Sequence, residues 1–161
     1  MEKSKKVEKV FEYVKDSLKK FYENDKILIE KGVCERSCVF RIGIYLNEII
    51  SVDNELKEIN VDSEYNRNCN DIKKILMENN DGNRIFPDLL IHERGNHNQN
   101  LVVIEFKKEN NSNNDNDIKK LIEFTNLQGS YKYELGLFIK LYDSYDKTIE
   151  NIKKFSNGKE N

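Results

Sequence analysis

The hydrophobic pattern of this chain predicts an α/β protein: a mixed sheet flanked by helices, with an extra helix at the N-terminus. Three observations lead there. Apolar residues recur at helical spacing over residues 4–23 and 35–50. Residues 84–108 read as two short apolar strands joined by a polar turn, and residues 131–141 as another apolar strand. A helical pattern at 117–127 separates the last two of these strands, as a crossover between parallel strands requires.

Val7, Val10, Phe11, Val14, Leu18 and Phe21 form the apolar stripe of the first helix. Asp25 is placed to cap a short turn over residues 26–31, which Gly32 stops. The second long helix buries Cys38, Val39, Ile42, Tyr45, Leu46 and Ile49. Residues 59–67 alternate well enough for a strand, and 68–84 form a polar excursion with one helical turn expected around 72–77. Arg94, Gly95 and Asn96 connect the next two strands, so His92 and His97 are expected in an exposed turn. Residues 109–116 are a solvated, low-complexity loop. Residues 143–155 suit a final helix, and the last residues are expected to fray. Gly82, Gly95, Gly129 and Gly136 read as turn or strand-end residues. No repeat or linker divides the chain, so residues 1–161 are read as a single domain.

Composition narrows the class. The chain is 37 % apolar and 35 % charged, with a formal net charge of −2. No stretch approaches the roughly 20 apolar residues needed to span a bilayer. The N-terminal charges precede no apolar signal core. Cys34, Cys38 and Cys69 cannot all pair with one another, so free thiols in the cytoplasm are expected. Phosphate-binding loops, nucleophile elbows and dinucleotide fingerprints do not occur.

Chemistry concentrates in residues 84–108. The only proline directly precedes Asp88 on the first strand. Glu105 and Lys107 alternate with apolar neighbours on the second, sharing one face with Leu101 and Val103. A carboxylate and a lysine ending an apolar run are costly to bury without partners. With Asp88 on the paired strand, they suit a hard divalent cation beside a cationic neighbour. The letters alone mean little, because an acid two residues before a lysine also occurs at Glu55, Asp71 and Asp117. Only the Glu105 copy ends an apolar strand and follows a Pro-Asp strand. Glu35 falls on the buried stripe of its helix and is preferred as a further site residue over Glu48, which lies nearer the flank.

This order of elements resembles the PD-(D/E)xK, or restriction-endonuclease-like, nuclease superfamily. The matching residues are Pro87-Asp88, then Glu105-Phe106-Lys107, with Glu35 on a preceding helix. More closely, the chain is similar to a group of small uncharacterised bacterial proteins of this type. Their pattern is met by Glu35-Arg36, Glu64-Tyr65-Asn66-Arg67, Pro87-Asp88 and Ile104-Glu105-Phe106-Lys107. The resemblance implies an α-β-β-β-α-β core over roughly residues 35–141. It also implies a magnesium-dependent (or manganese-dependent) nuclease acting on nucleic acid, DNA preferred, in defence, repair or processing. Asp88, Glu105, the Phe106 carbonyl and Glu35 would hold the metal, and Lys107 would serve the attacking water. Arg36, Arg67 and Lys120 would contact substrate. Lys119, Gln128 and Tyr131 are weaker matches to the superfamily's fourth motif. Sequence specificity would need a homodimer or a partner protein. The alternative is a catalytically inactive nucleic-acid- or protein-binding module on the same fold.

Overall fold

A computed structural model describes residues 2–65, 74–77, 80–84 and 86–161. Its elements are α1 (Lys3–Asn24), α2 (Ile27–Glu30), α3 (Glu35–Ser51), β1 (Asn60–Ser63), β2 (Lys74–Met77), β3 (Asn80–Arg84), β4 (Leu89–Glu93), β5 (Asn96–Lys108), α4 (Asp115–Thr125), β6 (Leu135–Leu141), α5 (Tyr145–Glu150), β7 (Lys153–Ser156) and β8 (Lys159–Glu160). Six strands form one mixed sheet in the order β1-β4-β5-β6-β7-β8, and β2 pairs with β3 separately. Only β5 and β6 run parallel, joined through α4, and their neighbours pair antiparallel. The chain is thus an α/β protein with a mixed sheet flanked by helices, and α1 is the expected extra N-terminal helix.

Alternation along the strands sends side chains to two cores. On one face, Val10, Val14, Leu18 and Phe21 of α1 pack with Ile42 and Leu46 of α3 over Ile91, Ile104 and Ile139. On the other, Leu121 and Phe124 of α4 pack with Leu90, Val103, Phe138 and Phe155. Leu101 departs from the expected alternation. Ile91 pairs with Val102 and His92 with Asn100, so Leu101 is the extra residue of a β-bulge. It joins Val102 in the α1/α3 core instead of following Val103.

Several expectations are corrected. Lys74–Met77 is a strand, paired antiparallel with Asn80–Arg84, where a helical turn was expected; Gly82 lies on that second strand. His92 is buried on β4 and the backbone of His97 lies on β5, so neither sits in the turn. The final helix ends at Glu150, because Phe155 is required as a strand residue buried beside Gly136. The last residues do not fray: Asn157 and Gly158, with φ of 53° and 75°, turn the chain into β8. Asn-Gly is a favoured pair for such a tight hairpin. Gly136 sits within β6, where an added Cβ would lie 3.0 Å from Thr125 and 3.2 Å from Phe155. It lets α4 and β7 approach the sheet.

Among the described residues, no helix is long and apolar enough to cross a membrane. The thiols of Cys34 and Cys38 are free, and Cys69 lies outside the described residues.

Candidate functional site

The site lies at the N-terminal end of β4. Leu89 pairs with Ile104, while β5 continues to Lys108. Alternation leaves the N–H groups of Phe106 and Lys108 facing the side that β4 no longer covers. Carboxylates take them up. Asp88 Oδ2 accepts from Phe106 N–H at 2.7 Å, and Glu35 Oε2 accepts from Lys108 N–H at 2.9 Å. Pro87 fits this strand end because it has no N–H to offer a ladder; its carbonyl accepts from Glu64 N–H at 3.0 Å. Glu35 reaches β5 from the first residue of α3, and Lys108 Nζ ties the same junction to the Val33 carbonyl at 2.8 Å.

Glu105 and Lys107 meet residues of α4. Lys120 Nζ lies 3.2 Å from Glu105 Oε2 and 3.2 Å from Asp117 Oδ1. Lys107 Nζ lies 2.6 Å from Asp117 Oδ2. A chain of ion pairs therefore runs Glu105–Lys120–Asp117–Lys107. Glu105 is only 1 % exposed, and its Oε1 has no hydrogen-bond partner among the described residues.

Electrostatics follows from this crowding. Burial pushes the Asp88 carboxyl from an ordinary 3.8 up to about 6, against the hydrogen bond from Phe106 and the charge of Lys120. Burial, then the charge of Asp88, holds Glu105 well above the usual carboxylate range. Burial opposes the charge on Lys107, yet the Asp117 carboxylate keeps its ammonium above the ordinary lysine value. Lys120 is likewise raised, by Glu105 and Asp117 against the effect of burial. Two carboxylates resist ionisation here, as expected where carboxylates crowd one another away from water.

The sequence-predicted residues divide accordingly. Asp88, Glu105, Phe106, Lys107, Lys120 and Glu35 lie at one end of β5 and its flanking helices. Arg36 points outward to Glu64 at 3.1 Å, and Arg67 lies outside the described residues. Glu48 is exposed and lines a groove of about 420 Å³ with Phe40, Val61 and Leu89. A second groove, of about 430 Å³, passes Lys108, Glu109 and Gly32. One groove touches the residue after Asp88, and the other the residue after Lys107. Lys119 and Gln128 are exposed and Tyr131 is buried.

The sequence reading missed Asp117, which accepts both lysines. Its signal was present, since an acid three residues before Lys120 shares that helix face. It also missed Asp62, which pairs with His92 at 3.0 Å and with Arg94 through two guanidinium nitrogens. That cluster binds β1 to the far end of β4.

The carboxylates offer hard oxygen ligands of the kind magnesium takes. Among the described residues, no set of three or more His, Cys, Asp or Glu side chains is spaced to enclose an ion. Magnesium, however, is commonly held by one or two carboxylates together with substrate phosphate. Asp88 and Glu105 fit that mode: Glu105 keeps a buried oxygen without a partner, and both carboxyls are raised by burial. No protein-family model, curated protein or solved structure matches this chain.

Proposed function

We propose that this chain is a metal-dependent phosphodiesterase of the PD-(D/E)xK type, cleaving nucleic acid, with DNA the preferred substrate. One observation carries the reading. Asp88, just before β4, is fixed against β5 by accepting from Phe106 N–H, near enough for its charge to act on Glu105, whose Oε1 has no hydrogen-bond partner among the described residues and whose Oε2 meets Lys120. A buried polar atom without a partner is costly and calls for explanation, and a cation held by the two carboxylates explains it.

Asp88 and Glu105 would hold magnesium or manganese, with the Phe106 carbonyl as a further ligand from the resemblance. A bound cation there supplies Lewis acidity toward a phosphoryl oxygen and a more acidic water. Lys107 and Lys120 offset negative charge that grows on the phosphoryl oxygens in the transition state. Glu35 holds the end of β5 through Lys108 and acts through that backbone or a bound water. Arg36, largely exposed, is placed to meet a phosphate outside the site.

A second reading has its own observation. Asp88 and Glu35 each spend an oxygen on a β5 backbone N–H, and Lys107 is paired with Asp117. A binding module that needs these groups only to finish its sheet would look the same at those contacts. Incubating the full chain with single- and double-stranded DNA and RNA, with magnesium, manganese or chelator, separates the two. The phosphodiesterase reading expects metal-dependent cleavage that falls by about 10²-fold or more in Asp88→Ala and Glu105→Ala. Cleavage unaffected in both variants excludes this site, and binding without cleavage under every metal favours the module.

A further inference from the structure

We infer that Asp117 is a positioning residue that locks the Lys107 and Lys120 ammonium groups into one rigid pair beside Glu105. The role of that pair toward phosphate rests on the phosphodiesterase reading; the locking itself does not. The two lysines come from different elements, Lys107 from β5 and Lys120 from α4. Each carries a flexible four-carbon stem whose ordering costs rotamer entropy. A lysine that wanders among its rotamers cannot hold charge at one point, so something fixed must anchor it.

Asp117 is built for that task. It is 7 % exposed and lies in the first turn of α4, where the helix dipole favours a carboxylate. Its short side chain gives it little freedom of its own. Oδ1 accepts a hydrogen bond from Lys120 at 3.2 Å, and Oδ2 forms a close ion pair with Lys107 at 2.6 Å without a hydrogen bond of regular angle, so an ammonium group lies against each oxygen. Lys120 continues to Glu105 at 3.2 Å. The site thus sorts its acids into separate tasks. Glu105 retains an oxygen for a ligand, Asp88 braces the strand with Oδ2 alone and keeps its other oxygen for that ligand, Glu35 braces the strand end, and Asp117 orients the cations.

The test uses the full chain with Asp117→Asn, Asp117→Ala and Asp117→Glu. In the metal-free protein, ¹⁵N relaxation of the lysine ammonium groups should show Lys107 Nζ ordered in the wild type and mobile in Asp117→Asn. With magnesium and DNA, kcat should fall about 10- to 100-fold in Asp117→Asn and Asp117→Ala. KM should stay within about threefold, because the loss is confined to the transition state. Manganese affinity measured by calorimetry should be unchanged, and Asp117→Glu should restore part of the rate. Lys107 as ordered in Asp117→Asn as in the wild type overturns the inference, as does an unchanged kcat. A wild-type chain that cleaves nothing overturns the phosphodiesterase reading instead, while the relaxation measurement still decides on Asp117.

Discussion

Asp88 shows how one side chain can serve the fold and oppose it at once. Its Oδ2 completes the hydrogen bonding of β5 through Phe106, yet burial raises its carboxyl to about 6. The native state therefore holds a proton on Asp88 more tightly than the unfolded chain does. Stability tied to that proton is present below about pH 4 and is lost as pH rises through about 6. At neutral pH without metal, the Asp88 charge is a net cost. Asp88→Asn keeps an acceptor for Phe106 N–H and removes the charge. It is expected to raise the metal-free unfolding free energy at pH 7.5 by roughly 3 kcal/mol, the order of a two-unit pKa shift. Urea denaturation at pH 7.5 and 4.5 checks this, with the gain shrinking at the lower pH. A destabilised variant at pH 7.5 would show that the Asp88 charge is fully compensated in the native state.

At the scale of elements, a second charged cluster joins Asp62 of β1 to His92 of β4 and to Arg94. Burial alone would raise Asp62; the hydrogen bonds from Arg94 and then His92 outweigh it and hold the carboxyl well below the usual range. A depressed native pKa gives stability that is complete above about pH 4 and is lost as pH falls further. Asp62→Ala leaves His92 and Arg94 without their acceptor and should cost about 2 kcal/mol at pH 7. Thermal melts across pH 2–7 should show that deficit narrowing below pH 4; a deficit that stays constant would place the effect in packing instead.

These elements also show what could be read from residues alone. The α1 and α3 stripes and the β4–β5 hairpin were legible, because amphipathic periodicity reports burial directly. So were Asp88, Glu105 and Lys107, which stand out as charges ending apolar strands. The register of β5 was not, since the bulge at Leu101 arises from pairing with β4 and leaves no mark in a one-strand pattern. His92 was misplaced for a related reason: its partner Asp62 is on another strand. The β7–β8 hairpin was legible and missed. Asn157-Gly158 is a strong turn signal, but residues 143–155 also carry enough helical spacing to mask it. The Asp117–Lys120 spacing was legible on α4, but the contact of Asp117 with Lys107 arises only when α4 packs over β5.

For the whole molecule, the sheet brings residues far apart in sequence to one end. β4 starts only at Leu89, β5 runs on past that level, α3 begins above the overrun and α4 begins beside it. Glu35, Asp88, Glu105 and Asp117 meet there only because each of these four elements ends or starts at that level. The lysines offset the charge of the acids, and Glu105 Oε1 has no hydrogen-bond partner among the described residues. The most direct measurement is anomalous diffraction from crystals of the full chain soaked in manganese. One manganese ion is expected, bound jointly by Asp88 and Glu105 and lost in Glu105→Gln. Manganese bound only elsewhere, with Glu105 still paired to Lys120 alone, would contradict that expectation.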